Sequence, residues 1–325
     1  MTEQRPIQPT PVGALRFNTD SAKLEYFDGN QYVNITTDSP EQHTNGTRGF
    51  AAGAFPNDDT IDFFQVDIAA NATDFGNLIQ ARQQSGSVAD RTRGVIAGGH
   101  PDTDVIQFIT MSSQGDATDT ADLTTASHGI SNSLGDSTRG LLVGGTPSVN
   151  TIEYVTIQSL GTPVDFGDMI LGARNPFGNS SPTRGIFQEG TEPSGRIEYI
   201  TIATLGNASD FGDLNTVMSF GAGGGNSIRG IFANGNPSNT DVEFVTMATL
   251  GNALEFGNLS SSNNNITCAA SSPTRFVKLG GYSPSPSNVM EYAQIMTTGD
   301  FIDFGDLVVG KGGRAGVSNG HGGLG

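Results

Sequence analysis

Six arginines recur along this chain at nearly constant intervals. The spacings are 45, 46, 45, 45 and 46 residues, and the residues are Arg48, Arg93, Arg139, Arg184, Arg229 and Arg275. A period so regular is typical of a repeat architecture, in which each repeat forms one unit of supersecondary structure. A residue type that occurs at six equivalent places is expected to serve the repeat fold, so we predict structural roles for these arginines.

Each repeat contains segments that favour four short strands. An apolar run follows the arginine, and in three repeats it ends in two glycines, at Gly98-Gly99, Gly144-Gly145 and Gly280-Gly281. A polar turn comes next, followed by an alternating strand such as residues 152–157, whose β-branched and aromatic content suits a pleated sheet. A strand with Asp-Phe-Gly or Glu-Phe-Gly follows in most repeats, and a stretch of small residues closes the unit.

Four strands in each repeat, without a helical pattern, favour the blade of a β-propeller. We therefore predict an all-β fold: a six-bladed β-propeller over residues 41–325, preceded by a small N-terminal β-meander in residues 1–40. The first repeat has no convincing strand of small residues before Arg48, whereas residues 313–319 resemble that strand in other repeats. We expect this C-terminal segment to pair with the first repeat and close the ring, because unpaired sheet edges invite mispairing.

The order of these segments resembles that of the Kelch-type β-propeller. The three diglycines match that family, as do the third-strand aromatic residues Tyr154, Tyr199 and Tyr292. The chain departs from the family in the fourth strand, where phenylalanine replaces tryptophan. The resemblance covers residues 47–319 and implies the fold, but Kelch-like rings serve binding, scaffolding and a few oxidases, so it names no function.

An acidic residue also recurs, in the predicted fourth strand of every repeat. The six residues are Asp74, Asp119, Asp165, Asp210, Glu255 and Asp303. Because one acid recurs in each repeat, as one arginine does, we predict that most of the arginines contact one of the acids or a backbone carbonyl at the edge of a blade. A ring of arginines that binds an anionic ligand is the alternative.

Residues 1–40 lie outside the repeat. Alternating segments broken at residues 18–20 and 28–30 predict a three-stranded meander, which is too small to bury enough apolar surface to fold alone. Gly13 and residues 15–20, 25–29 and 32–35 resemble short modules of tailed-bacteriophage fibre and other virion proteins. The glycine-rich repeats, with Thr-Arg-Gly and Asp-Phe-Gly-Asp-Leu motifs, resemble virion structural proteins of marine and cyanobacterial phages.

These resemblances imply a protein of the phage virion, made in the host cytoplasm and located at the particle surface in an appendage, neck or tail. The N-terminal segment would attach to other virion proteins through Leu15, Phe17, Tyr26, Phe27, Tyr32 and Val33. The propeller of a tail fibre or appendage head would then recognise a host-surface glycan or protein. A neck or capsid decoration protein and a glycan-acting enzyme are the alternatives. Fibre-like proteins are often trimeric, which leaves a homotrimer open.

Net charge and composition limit the classes of partner that the chain is expected to bind. The net charge is −17, with 16 lysines and arginines against 33 acids, which argues against nucleic-acid binding and against contact with an anionic membrane surface. No run of about 18 apolar residues predicts insertion into a membrane. Cys268 is the only cysteine, so no disulfide within the chain forms, and we predict a buried side chain.

We predict no catalytic residues, no cofactor and no metal site. The Asp/Glu-Phe-Gly copies lack the other motifs of a protein kinase, and they favour a turn whose phenylalanine packs between blades. The four histidines, His43, His100, His128 and His321, show no metal-ligand spacing in the sequence. The chain also lacks the Tyr/His/Cys copper set of the oxidases among Kelch-type rings, so we expect a protein that is not an enzyme.

Overall fold

The computed structural model describes residues 11–18, 23–34, 47–190, 195–233, 235, 239–262, 268–282 and 285–324. Within these ranges the chain is all-β without an α-helix, and one 3-10 helix spans Gly322–Leu324. Contacts between Cα atoms divide the chain into two units, Met1–Asn45 and Gly46–Gly325.

The first unit contains an antiparallel sheet of three strands in the order β1-β2-β3, which is the meander that the sequence predicts. The strands are β1 (Leu15–Asn18), β2 (Lys23–Phe27) and β3 (Tyr32–Asn34). The turn between β2 and β3 is fixed by the Asp28 carboxylate, whose Oδ1 accepts backbone N–H groups of Asn30 and Gln31, each at 2.8 Å. Such a side-chain bond to the backbone two residues on is typical of aspartate in turns.

Six antiparallel sheets, one for each repeat, form the described part of the second unit. We number them repeat sheets 1 to 6 and name their strands first to fourth in hydrogen-bonding order. Repeat sheet 1 contains β26 (Ala315–Ser318), β4 (Arg48–Ala54), β5 (Asp58–Gln65) and β6 (Thr73–Arg82). Repeat sheet 2 contains β7 (Gly86–Ala89), β8 (Arg93–Ala97), β9 (Thr103–Thr110) and β10 (Thr118–Ser127). Repeat sheet 3 contains β11 (Arg139–Val143), β12 (Thr151–Thr156) and β13 (Val164–Asp168), which we name its second, third and fourth strands to match the other sheets.

The last three repeat sheets have four strands each. Repeat sheet 4 contains β14 (Phe177–Ser180), β15 (Arg184–Gln188), β16 (Arg196–Thr201) and β17 (Ser209–Asp213). Repeat sheet 5 contains β18 (Ala222–Gly225), β19 (Arg229–Ala233), β20 (Asp241–Thr246) and β21 (Leu254–Asn258). Repeat sheet 6 contains β22 (Cys268–Ser271), β23 (Arg275–Tyr282), β24 (Pro286–Gln294) and β25 (Ile302–Asp306).

Repeat sheet 3 departs from the predicted four strands. The small residues that precede it form only isolated bridges, in which Asn132 pairs in parallel with Ser87 and Phe177. The backbone of Ser133 has a φ of 57°, a left-handed conformation that interrupts an extended run. The segment therefore bends before it can form a first strand like those of the other repeats.

The C-terminal strand β26 pairs antiparallel with β4, with Ser318 opposite Gly49 and Ala315 opposite Ala52. This is the strand pairing that the sequence predicts for the C-terminal segment. Just before β26, the buried Arg314 side chain pairs with Asp62 of β5 at 3.1 Å. Both ends of the second unit therefore belong to one sheet.

Hydrophobic clusters fill the interfaces between successive repeat sheets, which we call joints. Phe75 of sheet 1 packs with Ile96 and Ile109 of sheet 2 in one such cluster. Phe304 of sheet 6 likewise shares a cluster with Phe64 of sheet 1. Each sheet packs against the next and the last packs against the first, which is consistent with a β-propeller-like fold.

The phenylalanines of the Asp/Glu-Phe-Gly motifs lie in fourth strands and are buried at these joints, as predicted. The residues are Phe75, Phe166, Phe211, Phe256 and Phe304. The following glycine allows a close approach of the next sheet: a Cβ on Gly212 would lie 2.4 Å from the carbonyl oxygen of Gly251. There the N–H of Gly251 donates to the carbonyl of Phe211 at 2.9 Å.

Candidate functional sites

The periodic arginines each begin the second strand of a repeat sheet, and each guanidinium lies over an aromatic ring of the third strand. The Cζ-to-centroid distances run from 4.4 to 5.2 Å. The pairs are Arg48 with Phe63, Arg93 with Phe108, Arg139 with Tyr154, Arg184 with Tyr199, Arg229 with Phe244, and Arg275 with Tyr292. A cation in this position is attracted by the negative face of the ring.

The same guanidinium groups reach the next sheet along the chain. In five repeats Nη1 donates to a carbonyl oxygen there: Arg48 to Met111 at 2.6 Å, Arg93 to Gln158 at 2.6 Å, Arg139 to Ile202 at 2.7 Å, Arg184 to Met247 at 2.8 Å, and Arg229 to Ile295 at 3.2 Å. The Nη1 atom of Arg275 is buried without a hydrogen-bond partner. The carbonyl contacts that the sequence predicts are therefore present at five arginines. These guanidinium groups bond to neighbouring sheets, which argues against the alternative of a ring of arginines that binds an anion.

The arginines meet the carbonyl alternative of this prediction, and none of them pairs with a fourth-strand acid in the described chain. The acids are all exposed: Asp74, Asp119, Asp165, Asp210, Glu255 and Asp303. The reason is strand alternation: the phenylalanine that follows most of these acids points into one joint, so the acid lies on the other face of the sheet, at its exposed outer edge.

A different set of polar side chains spans the joints. These residues directly precede the third-strand aromatic in each repeat: Asp62, Gln107, Glu153, Glu198, Glu243 and Glu291. Each accepts a hydrogen bond from the fourth strand of the preceding sheet or from the chain just after it. The backbone donors are Ile79 to Gln107 at 2.9 Å, Ile170 to Glu198 at 3.0 Å, Asn215 to Glu243 at 2.7 Å, and Val308 to Asp62 at 3.3 Å. The hydroxyl donors are Thr124 to Glu153 and Ser260 to Glu291.

The sequence carried a signal for this set. Glu153 shares a strand face with the apolar residues Val155 and Ile157, and equivalent polar residues recur at 45- to 48-residue intervals. A polar residue on a buried face requires a hydrogen-bond partner. That requirement singles out these residues from the other acids of the repeat.

Burial perturbs several of these side chains. Glu198 is fully buried, and burial, together with the neighbouring Glu189, raises its pKa to about 7. Glu189 is itself held by Arg196, whose Nη1 lies 2.9 Å from Glu189 Oε1. Cys268 is buried as predicted, and burial raises the pKa of its thiol to about 12, which suppresses the reactive thiolate.

The N-terminal sheet has two different faces. Cross-strand register places Leu15 opposite Tyr26 and Phe17 opposite Leu24, and Val33 continues the same face. Leu15 and Phe17 are 64% and 61% exposed. The six predicted attachment residues are therefore divided, and Leu15, Phe17, Tyr26 and Val33 share this apolar face.

Phe27 and Tyr32 lie on the opposite face of the N-terminal sheet. Their ring centroids are 5.3 Å apart, and Arg16 Cζ lies 3.6 Å from the centroid of Tyr32. Arg16 Nε also donates to Glu25 Oε2 at 2.7 Å. This face is thus occupied by its own aromatic and charged side chains, so Phe27 and Tyr32 support the sheet instead of lining the exposed surface.

The histidines show no metal-ligand spacing in the sequence, but the structure brings two of them close to one carboxylate. His100, Asp102 and His128 come together near the joint between repeat sheets 2 and 3, and one ligand atom from each lies within 4.8 Å of the others. The ring centroids of His100 and His128 are 5.1 Å apart, and His128 Nδ1 contacts Asp102 Oδ1. The separation of 28 residues between the histidines conceals the cluster in the sequence, because it reflects tertiary packing rather than a local motif.

No helix among the described residues is long and apolar enough to cross a membrane. No known protein-family model matches the chain, and a search of curated proteins finds no match.

Proposed function

We propose that this chain is a structural protein of a phage virion. In this proposal it is a fibre or appendage head that attaches through its N-terminal sheet and presents the repeat unit to the host surface. We further infer that repeat sheets 1 to 6 form a closed, six-bladed propeller of the Kelch type. The sequence resemblances to phage fibre modules motivate the proposal, and the apolar face of the N-terminal sheet is the observation that carries it.

The N-terminal face has the composition of a docking surface. Leu15, Phe17, Leu24 and Tyr26 are exposed together on one side of a sheet of three short strands. So small a sheet is stable in water only when a hydrophobic face is covered. Contiguous apolar surface of this kind marks a protein-binding site, and the proposed occupant is another protein of the virion.

The inference of a closed ring is supported by the joint between repeat sheets 6 and 1. There the N–H of Ala72 donates to the carbonyl of Asp306 at 2.8 Å, as the N–H of Ala253 does to Asp213 between sheets 4 and 5. Asp62 accepts a backbone bond from Val308 across the same joint. Similar contacts at the first and last sheets are what a ring requires, whereas an open stack would leave one face of each end sheet bare.

Attachment is tested by incorporation into particles. The double variant Leu15→Ser with Phe17→Ser is expressed during infection, and its copies are counted in gradient-purified virions. We expect loss of incorporation while circular dichroism and thermal unfolding of the repeat unit stay unchanged. The matched control is Leu205→Ser with Leu250→Ser, which removes leucines of 57% and 56% exposure from the repeat unit. Equal incorporation of both double variants would overturn the proposed attachment face.

The recognition role has a separate test. The purified chain is added to host cells before infection, and phage adsorption is measured. A fibre head is expected to bind the cells and reduce adsorption. A neck or capsid decoration protein would bind particles and leave adsorption unchanged, and a glycan-acting enzyme would release sugar from the host envelope.

A further inference from the structure

We propose that His100, Asp102 and His128 form a binding site for a divalent transition-metal ion such as Zn²⁺. The cluster combines two imidazole ligands with one carboxylate, at the joint between repeat sheets 2 and 3. This inference is independent of the proposed virion role, since it rests only on the second unit of the chain.

The spacing of the three side chains suits an ion. Zn²⁺ lies about 2.0–2.2 Å from histidine nitrogen and carboxylate oxygen, which places its ligands roughly 3–4 Å apart. The ligand atoms of the cluster already lie within 4.8 Å of one another. His100 and Asp102 are exposed, so small rotations of their side chains can close the remaining gap.

The backbone and a neighbouring hydroxyl fix the ligands in place. His100 and Gln83 exchange backbone hydrogen bonds, at 2.7 and 3.3 Å. His128 Nε2 lies 3.2 Å from the Thr146 hydroxyl oxygen. If Nε2–H donates to that oxygen, the lone pair of Nδ1 faces Asp102 and the ion. A hydrogen bond to the second ring nitrogen is the usual way in which proteins orient a metal-binding histidine.

The chemistry of the ligands selects the class of ion. Imidazole nitrogen suits Zn²⁺ and other late transition metals, whereas Ca²⁺ and Mg²⁺ prefer oxygen ligands. Three protein ligands leave at least one coordination position for water or for a ligand atom from another molecule. The partial exposure of the cluster gives such a molecule access, because the side chain of Asp102 is 51% exposed.

The cluster also departs from the repeat. His100 follows a diglycine, and the residues after the other two diglycines are Thr146 and Tyr282. The repeat fold therefore does not require histidine at this place. This contrasts with the arginines, five of which donate hydrogen bonds across the joints between sheets.

The joint beside the cluster differs from the others in its backbone hydrogen bonds. Fourth strands elsewhere accept backbone bonds from the next sheet, but no bond of this kind links sheets 2 and 3 among the described residues. A cleft of about 120 Å³ lies here, lined in part by Ser127, Ile130 and Thr146. His100 and Asp102 lie between β8 and β9, and His128 directly follows β10, so an ion would join two segments of sheet 2 beside this cleft.

The test uses the full chain after treatment with a chelator. Titration calorimetry with ZnCl₂ at pH 7.5 is expected to show one bound ion for each chain, and MgCl₂ or CaCl₂ no binding. Asp102→Asn, His100→Ala and His128→Ala should abolish the binding, and Thr146→Val should weaken it about tenfold. Asp104→Asn is the matched control, because it neutralises an exposed aspartate two residues away and should leave the affinity unchanged.

Two further readouts separate an ion site from a simple His-Asp contact. Zn²⁺ should raise the Tm of the wild-type chain and of Asp104→Asn but not that of Asp102→Asn, because an ion that binds only the folded state stabilises it. Binding should weaken between pH 7.5 and 5.5, since protonated imidazoles cannot ligate. Absence of stoichiometric Zn²⁺ binding, or binding that survives both Asp102→Asn and His128→Ala, overturns the proposal.

Discussion

Nη1 of Arg184 lies 2.8 Å from the carbonyl oxygen of Met247, 63 residues further along the chain and in the next repeat sheet. The guanidinium of the same arginine lies 4.7 Å from the ring centroid of Tyr199 in its own sheet. One side chain thus binds two sheets at once. The planar guanidinium can stack on the ring while its edge donates hydrogen bonds, which a lysine ammonium cannot do.

Loss of this contact should destabilise the chain measurably. We expect Arg184→Met to lower the free energy of unfolding by about 2 kcal/mol, from a charge-assisted hydrogen bond and a partly exposed cation–π contact. Arg275→Met is the matched variant, since Arg275 stacks on Tyr292 but its Nη1 has no hydrogen-bond partner. Its cost should be about 1 kcal/mol or less. Urea unfolding measures both, and equal losses would show that the carbonyl contact contributes nothing.

The two acids of one cross-strand pair should differ sharply. Glu243 and Glu255 lie opposite each other in β20 and β21, but only Glu243 is buried, and its carboxylate accepts the N–H groups of Asn215 and Thr216, each at 2.7 Å. We expect Glu243→Ala to cost about 3 kcal/mol, because both donors lose a charged acceptor.

Glu255→Ala provides the control for that substitution. It should change the free energy of unfolding by less than about 0.5 kcal/mol, as is usual for exposed sites. Both variants are compared by urea unfolding at pH 7.5. If Glu255→Ala lowered the free energy of unfolding as much as Glu243→Ala, the fourth-strand acids would contribute to the stability of the fold.

Removal of residues 313–325 should destabilise the whole second unit. The deletion removes β26, whose residues are all buried, together with the Arg314 partner of Asp62. We expect a large fall in the calorimetric Tm, because β4 loses its neighbour and the joint between sheets 1 and 2 loses Ala315 and Val317. A synthetic peptide of residues 313–325 should restore part of the Tm, whereas a scrambled peptide should not. An unchanged Tm in the shortened chain would refute the pairing.

Stability should depend on the ionisation of Glu198. Its pKa is about 7 in the fold against an ordinary value of 4.5, so the folded state binds the proton more tightly than the unfolded state does. The stabilisation from the bound proton is full below pH 4.5 and disappears as the pH rises through 7. Glu198→Gln cannot ionise, so the variant should gain in stability relative to wild type between pH 5 and pH 8.

The measurement is urea unfolding of wild type and Glu198→Gln at several pH values. The difference between the two proteins isolates this carboxyl from the other acids that titrate in the same range. Glu255→Gln serves as the control for the loss of one negative charge at an exposed position. A difference between wild type and Glu198→Gln that stays constant from pH 5 to pH 8 would contradict the raised pKa.

The sequence by itself determined the period, the all-β class and the positions of most strands. These features are local, because strand alternation, glycine turns and apolar runs depend on a few neighbouring residues. The six repeats make each of these patterns easier to recognise. The repeat also predicted the burial of Phe211 and its equivalents, because they recur at the same position in the strand. It predicted the pairing of β26 with β4, because the first repeat lacks a strand before Arg48.

Only the tertiary structure decided which groups meet across the joints. Strand alternation assigns Glu243 to a buried face, but the donors from Asn215 and Thr216 depend on how two sheets pack. The approach of His100 to His128 likewise depends on the path of the chain between sheets 2 and 3. Such contacts join residues far apart in sequence through the geometry of packed sheets, and that geometry leaves no local pattern.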